Sequence, residues 1–258
     1  MSPRYAWATV ATLWWRDCLR FFRQPSRLVG ALGQPIIFWG IIGSGFADSF
    51  RLADGRVDYP AFFYGGVVTM VALFSSIFAS VSVIEDRHQG FLLAVLVAPG
   101  ARLALVLGKC LGSATVAATQ IAAFLLLAPL AGFPFGTIDW PLTLGGLLLL
   151  TSALSALGFA VAWWLDNVQA YHAVQMTLLV PGWVVSGAMF PAPSTGALGR
   201  AATVNPLSYA VAVVRHGLYG GQAPAAVAPV PPAAGLAALT AFCLASLALA
   251  WLACRRRA

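Results

Sequence analysis

The sequence predicts an all-α integral membrane protein with six transmembrane helices, and three observations support that prediction. Hydrophobic residues make up 60% of the chain and charged residues only 9%, so the charges are too few to solvate a water-facing surface. Mean hydropathy is +0.84, and the apolar residues fall into long runs separated by short polar or proline-rich segments. A transmembrane helix needs about 20 residues, so six helices and their connections nearly fill the chain. We therefore expect residues 1–258 to form a single transmembrane domain.

The N-terminal segment, residues 4–25, is predicted to be an amphipathic helix at the membrane interface. One face carries apolar and aromatic side chains, namely Trp7, Val10, Trp14 and Phe21. Another face carries a basic stripe, namely Arg16, Arg20, Arg23 and Arg27. This combination suits the headgroup region of a bilayer. The alternative is a positively charged flank of the first transmembrane helix.

Six apolar segments follow, and they are the predicted transmembrane helices. They cover residues 28–47, 59–84, 103–131, 141–165, 171–190 and 233–254. Pro35 is expected to kink the first of them, because proline cannot complete the helical hydrogen-bond pattern. Gly108 and Gly112 form a small-xxx-small pair in the third, which permits the close approach of a second helix. The proline-rich stretch 191–232 before the last segment is expected to be irregular.

The distribution of basic residues predicts that both termini are cytoplasmic. In that orientation eleven Lys and Arg residues lie on the cytoplasmic side, the terminal triplet Arg255–Arg257 among them, and four lie on the other. The four are Arg51, Arg56, Arg200 and Arg215. The expected location is the inner, cytoplasmic cell membrane, crossed several times.

No catalytic or metal-binding motif is present in the sequence. Lys109 follows Gly108, but Cys110 stands where a phosphate-binding loop needs Ser or Thr. The three histidines are far apart, and the four cysteines lack the spacing of metal ligands. The basic residues flank apolar runs and do not form one patch, so nucleic acid is not an expected partner. The interiors of the predicted spans hold no Asp or Glu, which argues against a proton-coupled carrier and favours energy from a partner.

The segment 85–99, between the second and third predicted spans, is predicted to be a short amphipathic helix. It starts with the charged residues Glu85, Asp86 and Arg87 and ends at Pro99. The apolar residues between them are Phe91, Leu92, Val95 and Leu96. Exposed apolar side chains on such a helix would fit a groove of a soluble partner. Packing against lipid headgroups is the alternative.

Two stretches of the chain resemble the hallmarks of one family. The run EDRHQGFLLAVLVAPGARLALVLGK, residues 85–109, resembles the cytoplasmic segment of the type-2 ATP-binding-cassette (ABC) exporter permeases. The run VNPLSYAVAVVRHGLYG, residues 204–220, is similar to a second hallmark of that family, Asn-Pro-Leu-x-Tyr followed by Arg. The N-terminal helix, the six spans and the long segment before the last span also agree, so the resemblance covers essentially the whole chain.

The resemblance implies a transport subunit without enzymatic activity of its own. Two permease copies, identical or related, would pair with two ATP-binding-cassette ATPase subunits, which would hold ATP and Mg²⁺, while this chain would bind no cofactor and no metal. Residues 85–99 would be the coupling helix that contacts the ATPase. The residues expected to make that contact are Glu85, Asp86, Arg87, Gly90, Phe91, Leu92, Val95, Leu96 and Pro99.

The resemblance also implies a substrate path between the two copies, lined mainly by the second and fifth spans. On this chain the implied path residues are Phe74, Phe78, Met176, Val180 and Trp183. The segment 191–232 would hold outer or re-entrant helices, and the residues of its motif are Asn205, Pro206, Tyr209 and Arg215. Arg215 is expected near the outer interface.

An apolar and aromatic path would suit an amphipathic substrate such as a drug, a lipid or a lipid-linked glycan, moved out of the cytoplasm or inner leaflet. Other functions stay open at this point: a nucleotide-independent channel or secondary carrier, a membrane enzyme of lipid metabolism, and a non-transporting scaffold in the membrane. A gene for a lone ATP-binding subunit beside this one would separate most of these alternatives.

Overall fold

The computed structural model describes residues 3–47, 51–52, 57–96, 101–191, 195–221 and 223–256. Helices account for 82% of the structure, which confirms the all-α class. The eleven α-helices of the described residues are α1 (Pro3–Phe22), α2 (Pro25–Gly45), α3 (Tyr59–His88), α4 (Phe91–Leu96), α5 (Ala101–Leu125), α6 (Trp140–Leu165), α7 (Val168–Val174), α8 (Val180–Val185), α9 (Gly196–Val204), α10 (Pro206–Leu218) and α11 (Pro232–Arg256). A short antiparallel pair, β1 (Arg51–Leu52) and β2 (Val57–Asp58), links α2 to α3.

Four of these helices are long and apolar enough to cross a membrane, counted over the described residues. They are Tyr59–His88, Arg102–Leu125, Trp140–Leu165 and Pro232–Arg255. The first predicted span corresponds to a shorter apolar helix, Val29–Gly45, in which Pro35 is buried. The fifth corresponds to an interrupted helix. A multi-pass helical membrane protein is therefore confirmed, while a count of six spans stays a prediction.

The third and fifth predicted spans differ from the observed helices. The third was expected to reach residue 131, but α5 ends at Leu125 and a 3₁₀ turn occupies Ala128–Ala131. Pro129 explains the difference, because its ring clashes with the carbonyl four residues back. In the fifth, a π-helical turn, Gln175–Leu179, separates α7 from α8 just before Pro181, whose missing N–H disturbs the regular pattern in the same way.

Helix α3 lies at the centre of the bundle and packs against α2, α5, α6 and α10. Its apolar residues continue around the whole circumference, as in a helix that is surrounded by protein. At about 1.5 Å per residue its 30 residues extend about 45 Å. It ends at a turn in which Gly90 has φ +73°, a left-handed conformation that follows many helix ends.

Helix α1 packs along α5, and the two predicted glycines make that possible. A Cβ at Gly108 would lie 2.9 Å from Leu13 Cβ, and one at Gly112 would lie 3.0 Å from Asp17 Cβ. The predicted close approach of a second helix is therefore confirmed. The contact buries the face of α1 that holds Leu13, while Trp7 on another face stays exposed. A location of α1 at the membrane interface stays a prediction.

The stretch 191–232, expected to be irregular, holds two helices, α9 and α10, among its described residues. Helix α10 has the cap that its sequence allows: the Asn205 side chain accepts a hydrogen bond from the Leu207 N–H, and Pro206 occupies the first turn. Helix α10 packs against α3, α6 and α11, so this segment belongs to the bundle.

Gly66 marks the closest approach between α3 and the chain that follows α8. A Cβ at this position would overlap the carbonyl group of Ala188, which is backbone and cannot rotate away. We expect Gly66→Ala to lower the free energy of unfolding by about 3 kcal/mol or more, because overpacking against backbone displaces a helix. Thermal unfolding of the purified protein in one detergent measures the effect.

The matched control is Gly145→Ala in α6, where the added methyl group meets nothing within 4 Å. That substitution should leave the protein as stable or raise its stability by about 1 kcal/mol through helix propensity. Equal melting temperatures for the two variants would contradict the packing described for Gly66.

Candidate functional site

A cluster of six charged side chains joins α1, α3 and α5 at one end of the bundle, and it is called the buried charge network here. Its members are Arg16, Asp17, Arg20, Glu85, Asp86 and Lys109. Asp86 is 0% exposed and Lys109 is 1% exposed. The Lys109 ammonium group donates hydrogen bonds to Asp86 and, at 3.0 Å, to Asp17 Oδ1. Arg16 binds Asp86 with two hydrogen bonds, of 2.7 and 2.8 Å.

Counted over the described residues, the buried charge network is electrically balanced. Arg20 completes it by binding Glu85 at 3.0 Å and approaching Asp86 at 3.4 Å. The three cations therefore face three anions, which offsets the desolvation of the charges. Burial raises the pKa of the Asp17 carboxyl, and the nearby Lys109 opposes that rise without cancelling it. Of the two carboxylates that bind Lys109, Asp17 is therefore the one whose charged form is disfavoured by burial.

The network reaches α4 through an aromatic contact. The Arg16 guanidinium lies 4.0 Å from the centre of the Phe91 ring, a cation–π geometry. Because the same guanidinium binds Asp86 with both of its terminal nitrogens, Arg16 connects the end of α3 to the first residue of α4. Phe91 therefore contacts the side chain that joins α1 to α3.

A second set of contacts ties the end of α3 to the end of α6. Arg87 donates a hydrogen bond of 3.0 Å to the Trp163 carbonyl and lies over the Trp163 ring. It also lies 3.5 Å from the Asp166 carboxylate, while His88 donates to the Asp166 carbonyl at 3.1 Å. Asp166 ends α6 in a left-handed conformation with φ +48°. Charged side chains therefore join the end of α3 to α1 and α5 on one side and to the end of α6 on the other.

The expectation of one amphipathic helix over 85–99 is wrong. Glu85, Asp86 and Arg87 form the last turn of α3, Gly90 makes the turn, and α4 is a separate helix of six residues. The reason is the left-handed Gly90, which ends α3. The side chain of Leu96 and the whole of Pro99 lie outside the described residues.

The expected exposure of Leu92 is also wrong. Its side chain is 1% exposed and belongs to the core of the bundle, because α4 packs back against α3 and α5. Phe91 and Val95 are half-buried against the same core. Among the described side chains of α4, that of Phe91 is partly exposed and also contacts the buried charge network.

A cleft of about 430 Å³ lies beside the network, between α2, α3, α5 and α7, and it is called the inner cleft here. Its wall carries Phe78, whose ring stacks on Phe74 at 5.7 Å and lies 5.7 Å from the His172 ring. Its polar groups include Ser75 and Gln120, joined by a buried hydrogen bond of 2.6 Å. An aromatic wall with a few hydrogen-bonding groups is a surface for an amphipathic ligand.

The structure separates the five implied path residues into two sets. Phe78 lines the inner cleft, and Phe74, on which it stacks, lines a small adjoining cavity. Met176 lies in the π-helical turn with an exposed side chain, and Val180 is half-buried. Trp183 is buried instead, packs on Phe63 and donates a hydrogen bond of 3.0 Å to the Gly66 carbonyl.

Three of the four residues of the implied outer motif, Asn205, Tyr209 and Arg215, make hydrogen bonds to backbone carbonyls. Besides capping α10, Asn205 donates a hydrogen bond to the Gly182 carbonyl at 2.6 Å. Tyr209 donates one to the Thr203 carbonyl at 2.7 Å, and Pro206 lies in the first turn of α10. The side chain of Arg215 is buried and donates hydrogen bonds to the Val227 and Phe62 carbonyls, while its expected position near the outer interface stays a prediction.

Sequence analysis missed the role of Lys109, Asp17 and Arg16. The sequence pattern marked Lys109 as a lysine without the rest of a phosphate-binding loop and Arg16 as part of a basic stripe, and it gave no prediction for Asp17. A usable signal was present: Lys109 is the only lysine of the chain and lies within an apolar helix, where an ionisable side chain needs a partner.

Comparisons with known proteins agree with this architecture. Residues 9–219 match the model of a family described as ABC-2 type transporter. The chain is also 26% identical, over 201 residues, to the ycf38 protein of Cyanophora paradoxa, named as a candidate transport permease. That similarity covers 75% of this chain and 68% of the relative. The family match includes the buried charge network, the inner cleft and the outer motif.

The two carboxylates that hold Lys109 should differ in their contribution to stability. Asp86→Asn removes the carboxylate that Arg16 and Lys109 share and leaves the buried Lys109 with Asp17 as its remaining carboxylate, so we expect a loss of about 3–5 kcal/mol. Asp17→Asn should cost clearly less, because burial already disfavours the charged form of Asp17. Thermal unfolding of both variants in the same detergent gives the comparison, and a larger loss for Asp17→Asn would contradict the geometry of the network.

Proposed function

This chain belongs to the ABC-2 type transporter family, and we propose that it is the transmembrane subunit of an ATP-driven exporter. Its substrate is an amphipathic molecule, such as a drug, a lipid or a lipid-linked glycan, which leaves the cytoplasm or the inner leaflet. The whole chain acts as one permease domain in the inner, cytoplasmic membrane of the cell. Both of its termini are on the cytoplasmic side.

One observation carries the proposal: α3 holds both the charged end that faces α4 and the aromatic wall of the inner cleft. Phe78 and Glu85 are seven residues apart on this helix, or about 10 Å along its axis. A displacement of α4 that moves Arg16 and Asp86 therefore moves the wall of the inner cleft as well. Rigid helices transmit such a displacement without a flexible link.

The partners follow from this arrangement. We propose that α4 and the end of α3 contact an ATP-binding-cassette ATPase subunit and that two such subunits, with ATP and Mg²⁺, serve two permease copies. Glu85, Arg87 and Phe91 are accessible in part and lie where such a contact would form. Leu92 supports the contact from beneath, since its side chain anchors α4 to the core.

The transport step requires two states with different affinities for the substrate. ATP-driven closure of the partner subunits would press the two copies of α4 together and rotate α3. The inner cleft would then release a ligand that its aromatic wall had bound. The π-helical turn at Gln175–Leu179 lies on the neighbouring broken helix and gives this wall a second element that is able to repack.

The proposal is tested by reconstitution with the cognate ATPase in proteoliposomes. Drugs, lipids and lipid-linked glycans are screened for stimulation of ATP hydrolysis and for ATP-dependent movement. Movement without nucleotide would instead indicate a channel or secondary carrier, and binding of the ATPase without any movement would indicate a scaffold.

Phe91→Asp should uncouple ATP hydrolysis from transport while the protein still inserts and folds. The substitution places a carboxylate at the contact surface and removes the ring on which Arg16 lies. Substrate stimulation of ATP hydrolysis in proteoliposomes should be lost. Gln89→Asp is the matched control, since it adds the same charge at an exposed position two residues away. Normal transport by Phe91→Asp would overturn the assignment of α4.

Leu92→Asp should behave differently, because it places a charge in the core. We expect it to lower the amount of folded protein and not merely its coupling. Size-exclusion chromatography of the detergent-extracted protein separates the two effects.

Phe78→Ala should weaken substrate binding by about tenfold, because stacking on an aromatic ring contributes about 0.5–1.5 kcal/mol beyond the buried area. The measured quantity is the substrate concentration that half-maximally stimulates ATP hydrolysis. Phe135→Ala is the matched control: Phe135 is 44% exposed and Phe78 is 41% exposed, but Phe135 lies between α5 and α6, away from the inner cleft. Equal effects of the two substitutions would exclude a role for this cleft.

A further inference from the structure

A second cleft, of about 380 Å³, lies between α9, α10 and residues 225–230. It is called the α9–α10 cleft here. Small apolar residues form much of its wall, among them Ala202, Val211, Ala212 and Val227. Polar side chains of α10 also line it, among them Ser208 and Arg215. The cleft thus combines a hydrocarbon-like wall with a concentrated set of hydrogen-bond donors.

Among the residues that the structure describes, Arg215 is a buried cation without an anionic partner. Its side chain is 3% exposed, and its terminal nitrogens donate to the carbonyls of Phe62, Ala188 and Val227 at 3.0–3.2 Å. Its Nε has no hydrogen-bond partner, and no carboxylate of the described residues lies within 4 Å of the guanidinium. Carbonyl dipoles reduce the cost of burying this charge, but they do not neutralise it.

Ser208 is a second donor without a partner in the same cleft. Its Oγ is buried and makes no hydrogen bond with any described residue. It lies seven residues before Arg215, two turns along the same face of α10. Both side chains line the α9–α10 cleft. Two unsatisfied donors on one helix face are a polar site that an acceptor-rich anion would complete.

We propose that the α9–α10 cleft binds a phosphate-bearing amphiphile, with its phosphate group on Arg215 and Ser208 and its hydrocarbon part along the alanine and valine wall. A phosphate presents oxygens in several directions and is able to meet two donors from different turns, whereas a carboxylate presents its two oxygens in one plane. Guanidinium groups are well suited to phosphate. The α9–α10 cleft shares no lining residue with the inner cleft, and the proposal requires neither ATP nor a second permease copy.

Binding of short-chain lipids to the purified full-length protein tests the proposal. The protein is held in an uncharged detergent, and native mass spectrometry and tryptophan fluorescence follow the titration. Dioctanoyl phosphatidic acid should bind at least about tenfold more tightly than dioctanoylglycerol, which lacks the phosphate, because hydrogen bonds between charged groups are stronger than those to a neutral hydroxyl. Inorganic phosphate should compete only weakly. Strong competition by inorganic phosphate would overturn the lipid part of the proposal, and equal affinity for the two lipids would overturn the phosphate part.

Two variants locate the site. Arg215→Gln should weaken binding of dioctanoyl phosphatidic acid at least about tenfold and leave dioctanoylglycerol unaffected. Arg200→Gln is the matched control, since it removes the same charge from an exposed position on α9 and should change neither affinity. An equal loss with Arg200→Gln would mean that the attraction is a general effect of positive charge and would overturn the site.

Ala212→Leu keeps the proposal testable if Arg215→Gln fails to fold. The larger side chain fills the α9–α10 cleft without replacing either donor, so binding of both lipids should fall. Unchanged binding of dioctanoyl phosphatidic acid to this variant would place the ligand elsewhere. The readout uses no ATPase subunit, so failure here and failure of the transport function are distinguishable.

Discussion

The neutralisation of Lys109 is the interaction on which the rest of this structure depends. A single ammonium group lies buried in a helix bundle, and an isolated charge there would be unstable. Asp17 and Asp86 supply the counter-charges from two other helices, so α1 must lie along α5 and the end of α3 must lie beside both. Gly108 and Gly112 provide the room for that arrangement. Charge balance and close packing therefore select the same geometry.

This constraint gives α3 its functional significance. One end of the helix is held by Arg16, Lys109 and the contacts with the end of α6, and its middle forms the aromatic wall of the inner cleft. A helix fixed in this way moves as a rod. The interrupted helix beside it, with its π-helical turn, is the part of the wall with the less regular backbone. A rigid element next to an adaptable one is suited to a cleft that changes its affinity for a ligand.

The two deeply buried cations of the described residues are stabilised in opposite ways. Lys109 has carboxylates, and it joins helices that are distant in sequence. Arg215 has backbone carbonyls and the Phe62 ring, which lies 3.7 Å from its guanidinium carbon. In the first arrangement the charge is neutralised by carboxylates, and its role is to hold the helices together. The second retains a positive charge beside an apolar cleft, and that difference makes it a binding site for an anion.

The sequence by itself determined the class of the protein, its apolar helices and its family. Long hydrophobic runs require a lipid environment whatever their neighbours are. The spacing of Gly108 and Gly112 predicts a close contact with another helix. The asparagine and proline that cap α10 are a local signal of the same kind, but the stretch 191–232 was expected to be irregular.

Only the tertiary structure decided which charges meet. Asp17, Asp86 and Lys109 are up to 92 residues apart, and no local pattern states that they share one ion-pair network. It also decided that Leu92 is buried, that 85–99 is not one helix, and that Arg215 lies inside the bundle. Periodicity tells which side of a helix is apolar, whereas burial depends on what packs against that side, and this is a property of the assembled helices.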